Sequence, residues 1–128
     1  MLIPHKTLIV VADGAHARFF RNIGQEIQLA AEGELRPGHH RDGGPAGVRP
    51  KDSSPRETDE AIFSKQMAKE LLRRAESGDF NSLVLMADPQ TLGEMRPLLH
   101  KEVQTRVIAE FAKDLTKASI ADIQKALH

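Results

Sequence analysis

The 128-residue sequence contains no cysteine, no tryptophan and no tyrosine, and phenylalanine occurs only five times. Without cysteine there is no disulfide scaffold, no thiolate metal site and no thiol nucleophile or redox centre. With 4% aromatic residues the core has to be aliphatic, and base-stacking surfaces are scarce. No apolar run approaches the length of a membrane-spanning helix. The start, Met1-Leu2-Ile3-Pro4-His5-Lys6, leads into an apolar run that Asp13-Gly14 breaks too early for a signal peptide. There is also no excess charge of either sign, with 18 Lys+Arg against 18 Asp+Glu, which excludes a uniformly basic nucleic-acid protein. These absences leave one soluble domain over residues 1–128, expected in the cytoplasm and outside any membrane.

The neutral total is unevenly spread. Residues 36–57 hold five cations (Arg36, Arg41, Arg49, Lys51, Arg56) against three anions (Asp42, Asp52, Glu57), while the segments on either side are each slightly acidic. The same stretch carries four of the nine Gly and four of the seven Pro, and its apolar side chains are Ala46 and Val48 alone. Such a segment offers nothing to a core to offset its ordering entropy. It is expected to be a long basic loop, either a merely solvated connection or an arm that contacts phosphates.

Around it the periodicities are regular. Thr7-Leu8-Ile9-Val10-Val11-Ala12 and Leu83-Val84-Leu85-Met86-Ala87 read as strands buried on both faces. Ala15–Arg21 and the alternating Glu26-Ile27-Gln28-Leu29-Ala30 complete a predicted three-stranded antiparallel meander with the first run. Thr58-Asp59-Glu60 is the predicted opening of a helix whose apolar stripe is Phe63, Met67 and Leu71, with Ser77-Gly78 as its stop. Asp88-Pro89 predicts a capped helix that Gly93 and Pro97 keep short, and His100-Lys101-Glu102 is read as a helix close. Val103–Phe111 fits a helix face and a strand face equally. Ser119-Ile120-Ala121-Asp122 opens a last short helix.

Several stretches resemble a bacterial family of host-attachment proteins: Thr7–Gly14 with Ala17-Arg18-Phe19-Phe20, Leu83–Pro89 with Thr91-Leu92-Gly93-Glu94, and Leu99-His100-Lys101-Glu102-Val103-Gln104 continuing to Lys113-Asp114-Leu115-Thr116. That family is in turn similar to the middle domain of archaeal and eukaryotic class I peptide-chain release factors. The resemblance implies an α/β fold with a five-stranded mixed sheet of the ribonuclease H-like kind in the order 3-2-1-4-5, with residues 103–111 as a strand. It also implies that the loop before the first helix faces RNA or the ribosome. In the release factors that loop carries Gly-Gly-Gln; here it reads Arg41-Asp42-Gly43-Gly44-Pro45, with Pro45 in place of Gln.

The candidate binding set is therefore Arg36, Arg41, Gly43, Gly44, Arg49, Lys51 and Arg56, in a module read as non-enzymatic, with no cofactor. A homo-oligomer stays open. The alternatives are a hydrolase acting on a peptidyl-tRNA ester or a phosphodiester, through the Gly pair or through Asp13 and Asp88, and a protein-interaction module acting indirectly in attachment. Asp13 and Asp88 each end a buried-strand run; joined by Glu57 or Asp59 they would form a two-metal carboxylate site. Each also has a structural explanation, as turn former and helix cap. His39-His40 lack a third ligand at defined spacing, so no metal site is assigned. His16 has no partner identifiable from sequence, and Arg73-Arg74 read as solvated helix charges.

Overall fold

The computed structural model describes residues 3–37 and 55–128, with backbone alone for 55–58. Five strands, β1 (Leu8–Ala12), β2 (Ala17–Asn22), β3 (Leu29–Leu35), β4 (Leu83–Ala87) and β5 (Val107–Ala112), form one sheet in the order β3-β2-β1-β4-β5. β1 is antiparallel to β2 and parallel to β4, with Ala12 level with Ala17 on one side and Ala87 on the other. β5 is parallel to β4. The helices are α1 (Pro55–Glu76), α2 (Pro89–Met95), α3 (Lys101–Gln104) and α4 (Ile120–Leu127), with a 3₁₀ turn at Arg96–Leu98.

Period-two alternation divides the central strands between two cores. Leu8, Val10 and Ala12 of β1 and Leu83 and Leu85 of β4 face Phe63, Met67 and Leu71 of α1, with Leu92, Met95 and Val103 beside them. Ile9, Val11, Val84 and Met86 face the other way, onto Phe20, Ile123 and Leu127 of α4. Every residue of β1 and β4 is buried, which is why both runs are apolar without alternation.

Several boundaries differ from the sequence reading. β3 begins at Leu29 rather than at Glu26. Asn22, fully buried, accounts for this: its Oδ1 accepts from Gly24 N (3.3 Å) and Gln28 N (2.9 Å), folding Ile23–Gln28 into a turn, while its Nδ2 donates to Ile3 O (3.0 Å) and Pro4 O (3.2 Å). β3 then runs on to Leu35 with Glu32 as an extra residue opposite Phe19/Phe20, a bulge made possible by Gly33 at φ +151°. Helix α1 starts at Pro55, so Thr58 is inside it and is not its cap, and the basic segment loses its last three residues to the first turn. Residues 103–111 resolve into both alternatives in succession, Val103 ending up in α3 and Val107 onward in β5.

His100 opens α3 instead of closing α2: its Nδ1 accepts from Glu102 N at 3.0 Å. Gly78 at φ +77° ends α1, Ser119 Oγ accepts from Asp122 N (3.1 Å) at the start of α4, and α2 stops after seven residues, all as the sequence indicates.

Arg74 is not a solvated charge. It bonds Glu70 (2.7 Å) and Asp79 (3.4 Å), lies 3.9 Å from Glu32, and sits over the Phe19 ring at 4.6 Å. Nearby Arg21 bonds both oxygens of Glu32 (3.0 and 3.1 Å), Asp79 Oδ2 (2.9 Å) and the carbonyls of Lys6 and Asp79. Burial pulls the Arg21 guanidinium down, but its bonds to Glu32 and Asp79 outweigh this and hold it above its ordinary value. One side chain thus ties β2, β3, the approach to β1 and the α1–β4 turn together.

A carboxylate cleft at the strand ends

Parallel pairing of β1 with β4 brings their carboxyl ends level, so the residues that follow, Asp13 and Asp88, stand side by side at the mouth of the sheet. In open α/β sheets this crevice, where the chain leaves neighbouring strands in different directions, is where ligands bind. Here it is a cleft of about 690 Å³ that also includes Asp114 beyond β5, Asp59 and Glu60 from α1, and Pro37. Glu60 lies directly on Gly14: a Cβ at that position would meet Glu60 Cγ at 2.7 Å, so a side chain there would displace the Glu60 carboxylate.

Each strand-end aspartate already has a structural task. Asp13 Oδ1 accepts from Ala15 N at 2.8 Å, closing the turn into β2. Its Oδ2 lies 3.2 Å from Thr116 Oγ1, which is closer still to Asp114 Oδ1, at 2.6 Å. The single Thr116 proton serves one of the two carboxylates at a time. Thr116 is held in turn by its own N–H on Asp114 Oδ1 (3.1 Å), and Arg18 Nη1 bonds the carbonyls of Thr116 (3.1 Å) and Ala118 (2.8 Å) while lying over Phe20. Asp88 Oδ2 accepts from Thr91 N at 3.1 Å and caps α2. Among the described residues no three His, Asp or Glu side chains are grouped so that one ion could bind them together. Asp13 and Asp88 thus each accept a backbone N–H, and Asp13 also faces Thr116; the Glu57 side chain considered with them lies outside the described residues.

Of the basic binding set, Arg36 is exposed just past β3; its Nη2 is 3.4 Å from Glu34 and its carbonyl accepts from Gln66 Nε2 at 3.2 Å. Arg41, Gly43, Gly44, Arg49 and Lys51 lie outside the described residues, as do His39, His40 and Pro45. Arg56 is in the first turn of α1, its side chain likewise outside them. His16, without an assignable partner in sequence, has Nε2 2.5 Å from Glu34 Oε1. That hydrogen bond, opposed by burial and aided by Arg36, lowers the Glu34 carboxyl below its ordinary range. Thr116, Asp114 and Arg18 escaped the sequence reading of the cleft. The Asp114-x-Thr116 spacing was the available signal, since Asp accepts from the N–H two residues on.

A family model described as bacterial archaeo-eukaryotic release factor family 12 matches residues 6–127. The fold is similar to the crystal structure of archaeal translation termination factor aRF1, with a TM-score of 0.51 and 12% sequence identity over 94% of this chain and 36% of that one. The chain therefore spans just over a third of that protein's length. No curated protein matches the sequence.

Proposed function

The chain belongs to bacterial archaeo-eukaryotic release factor family 12, and from that premise we propose that it is a non-enzymatic module contacting RNA or the translation machinery through its basic segment 36–57. The observation that carries this reading is the placement of the segment's two ends. Pro37, where it leaves β3, and Asp59 and Glu60, just beyond its return into α1, line the same cleft at the strand ends. The described ends of the segment that bears Arg41, Gly43, Gly44, Arg49 and Lys51 thus flank the crevice where sheets of this kind engage their ligands.

Asp13, Asp88 and Asp114 line the strand ends in that cleft, so on this reading phosphate contacts fall to the cations of the segment and not to the strand ends. Hydrolysis gains no support from the site. Asp13 and Asp88 each serve the turn and the cap, and Pro45 has no side-chain amide where the release factors carry Gln. On this reading the location is cytoplasmic and any effect on host attachment is indirect.

Co-sedimentation with ribosomes and with labelled RNA at low and moderate salt tests the proposal. Wild type is expected to bind at low salt, with log affinity falling by about 0.7 per phosphate neutralised for each tenfold rise in salt on single-stranded RNA. Arg41→Ala/Arg49→Ala/Lys51→Ala should weaken binding and flatten that slope. Absence of binding at low salt, or undiminished binding by the triple variant, overturns it.

A further inference from the structure

A second concavity, of about 430 Å³, runs along the outer face of α1 beside the end of β3. Its apolar part is Leu35, partly buried, and Ile62, which is 48% exposed although the rest of the apolar stripe of α1 is buried. Its margin is cationic: Lys65, Lys69 and Arg73 follow Ile62 at steps of three and four residues and so share one face. Among the described residues the one anion in the groove is Glu70, and it is already engaged by Arg73 and Arg74, both at 2.7 Å, so it does not oppose an incoming negative charge. The hydrogen bond from Arg73 and then that from Arg74 keep its carboxyl below the ordinary range against the opposing effect of burial. Ile62 to Arg73 spans about 16 Å of helix, roughly three turns.

We propose that this groove docks a short amphipathic segment of a partner protein, apolar on the face that meets Leu35 and Ile62 and carrying Asp or Glu along its edge to meet Lys65 and Lys69. Charge complementarity selects the occupant. A nucleic acid would gain from the two lysines but nothing from an apolar floor, and among the described residues no aromatic side chain lines the groove to stack on a base. An amphipathic acidic peptide uses both. The inference goes beyond the proposed function, since it concerns another surface and another class of partner.

The test is an anisotropy titration of the full chain with a labelled helical peptide of about twelve residues, leucine at every third or fourth position and glutamate elsewhere. Saturable binding is expected, weakened about tenfold or more by Ile62→Asp and by Lys65→Glu/Lys69→Glu, and restored to the latter by a peptide with lysine in place of glutamate. All three positions are exposed, so both variants should keep the wild-type circular dichroism spectrum and melting temperature. Arg41→Ala/Arg49→Ala/Lys51→Ala should leave peptide binding unchanged, which separates this inference from the RNA reading. No saturation at about 1 mM peptide overturns it, as do equal affinities of the variants. RNA binding that is lost in the lysine variant but kept in Ile62→Asp, with no peptide bound, reassigns the groove to nucleic acid. Self-association abolished by Ile62→Asp reassigns it to a second copy of the chain.

Discussion

Asp88 ends a buried strand at the cleft and has the geometry of a helix cap, and two substitutions separate its charge from its capping bond. Asp88→Ala deletes the acceptor for Thr91 N. Loss of an N-cap costs about 1 kcal/mol. The loss cannot be absorbed by local fraying, because Thr91, Leu92 and Met95 of α2 are buried in the core on the α1 side of the sheet. It should therefore register in global stability, lowering the melting temperature by about 3–5 °C for a chain of this size. Asp88→Asn keeps the acceptor and caps as well as Asp. It gives up an interaction of about 0.3–1 kcal/mol with the helix dipole, and relieves repulsion of similar size from Asp13, Asp59, Glu60 and Asp114 across the cleft. The expected net change is within about 0.5 kcal/mol of zero at either salt concentration, since salt screens both terms. Urea and thermal unfolding of the three proteins at two salt concentrations measure this. If Asp88→Asn destabilises as much as Asp88→Ala, the carboxylate charge itself is required and the cap explanation fails.

Other substitutions probe the rest of the fold. Phe63→Ala empties a fully buried site between α1 and β1 and should cost about 3–5 kcal/mol in urea unfolding; a loss below about 1 kcal/mol would contradict the packing described. Arg21→Ala should cost about 2 kcal/mol, below the figure for a fully buried pair because Glu32 and Asp79 remain a third exposed to water. Arg21→Lys should recover only part of this, since an ammonium cannot bridge both Glu32 oxygens and Asp79 at once, and full recovery would show that charge alone suffices. Stability should also fall in acid. Glu34 and Glu70 have folded values lowered from 4.5, so the folded state binds fewer protons than the unfolded state in that region. Their contribution is complete above the unfolded value and is lost as pH drops through the folded values. The urea midpoint should decline below about pH 4.5 and decline less steeply in Glu70→Gln; an unchanged slope in that variant would detach the acid response from the Arg73–Glu70–Arg74 cluster.

What the sequence reveals follows from how local each cause is. β1 and β4 are legible because burial on both faces forces continuous aliphatic runs, and the α2 and α4 caps because an Asp or Ser and its N–H target lie three residues apart. The start of β3 is not, since what converts Glu26–Gln28 into a turn is the buried amide of Asn22, whose fixed position depends on Ile3 and Pro4 across the sheet. Asp13 and Asp88 are legible as strand-end residues. Their hydrogen-bond partners are only half so, because Thr116 reaches Asp13 across 103 positions of sequence. Arg74 looks solvated in a helical repeat because its partners Glu32, Asp79 and Phe19 come from three other segments. His100 reads in sequence as a dipole-matching cation, whereas its ring nitrogen acts as an acceptor.

The central position of β1 has a consequence for synthesis. Its antiparallel partner β2 follows within a few residues, so that hairpin can form as soon as it clears the ribosome, but its parallel partner β4 is roughly 75 residues further along. At translation rates of 5–20 residues per second, the aliphatic edge of β1 stays open for roughly four to fifteen seconds. During that interval it is a template for pairing with any other nascent chain. The order of strands that builds the cleft thus makes the newborn chain most prone to aggregate before Leu83–Ala87 emerges, and slowing elongation between β3 and β4 should lower the soluble yield.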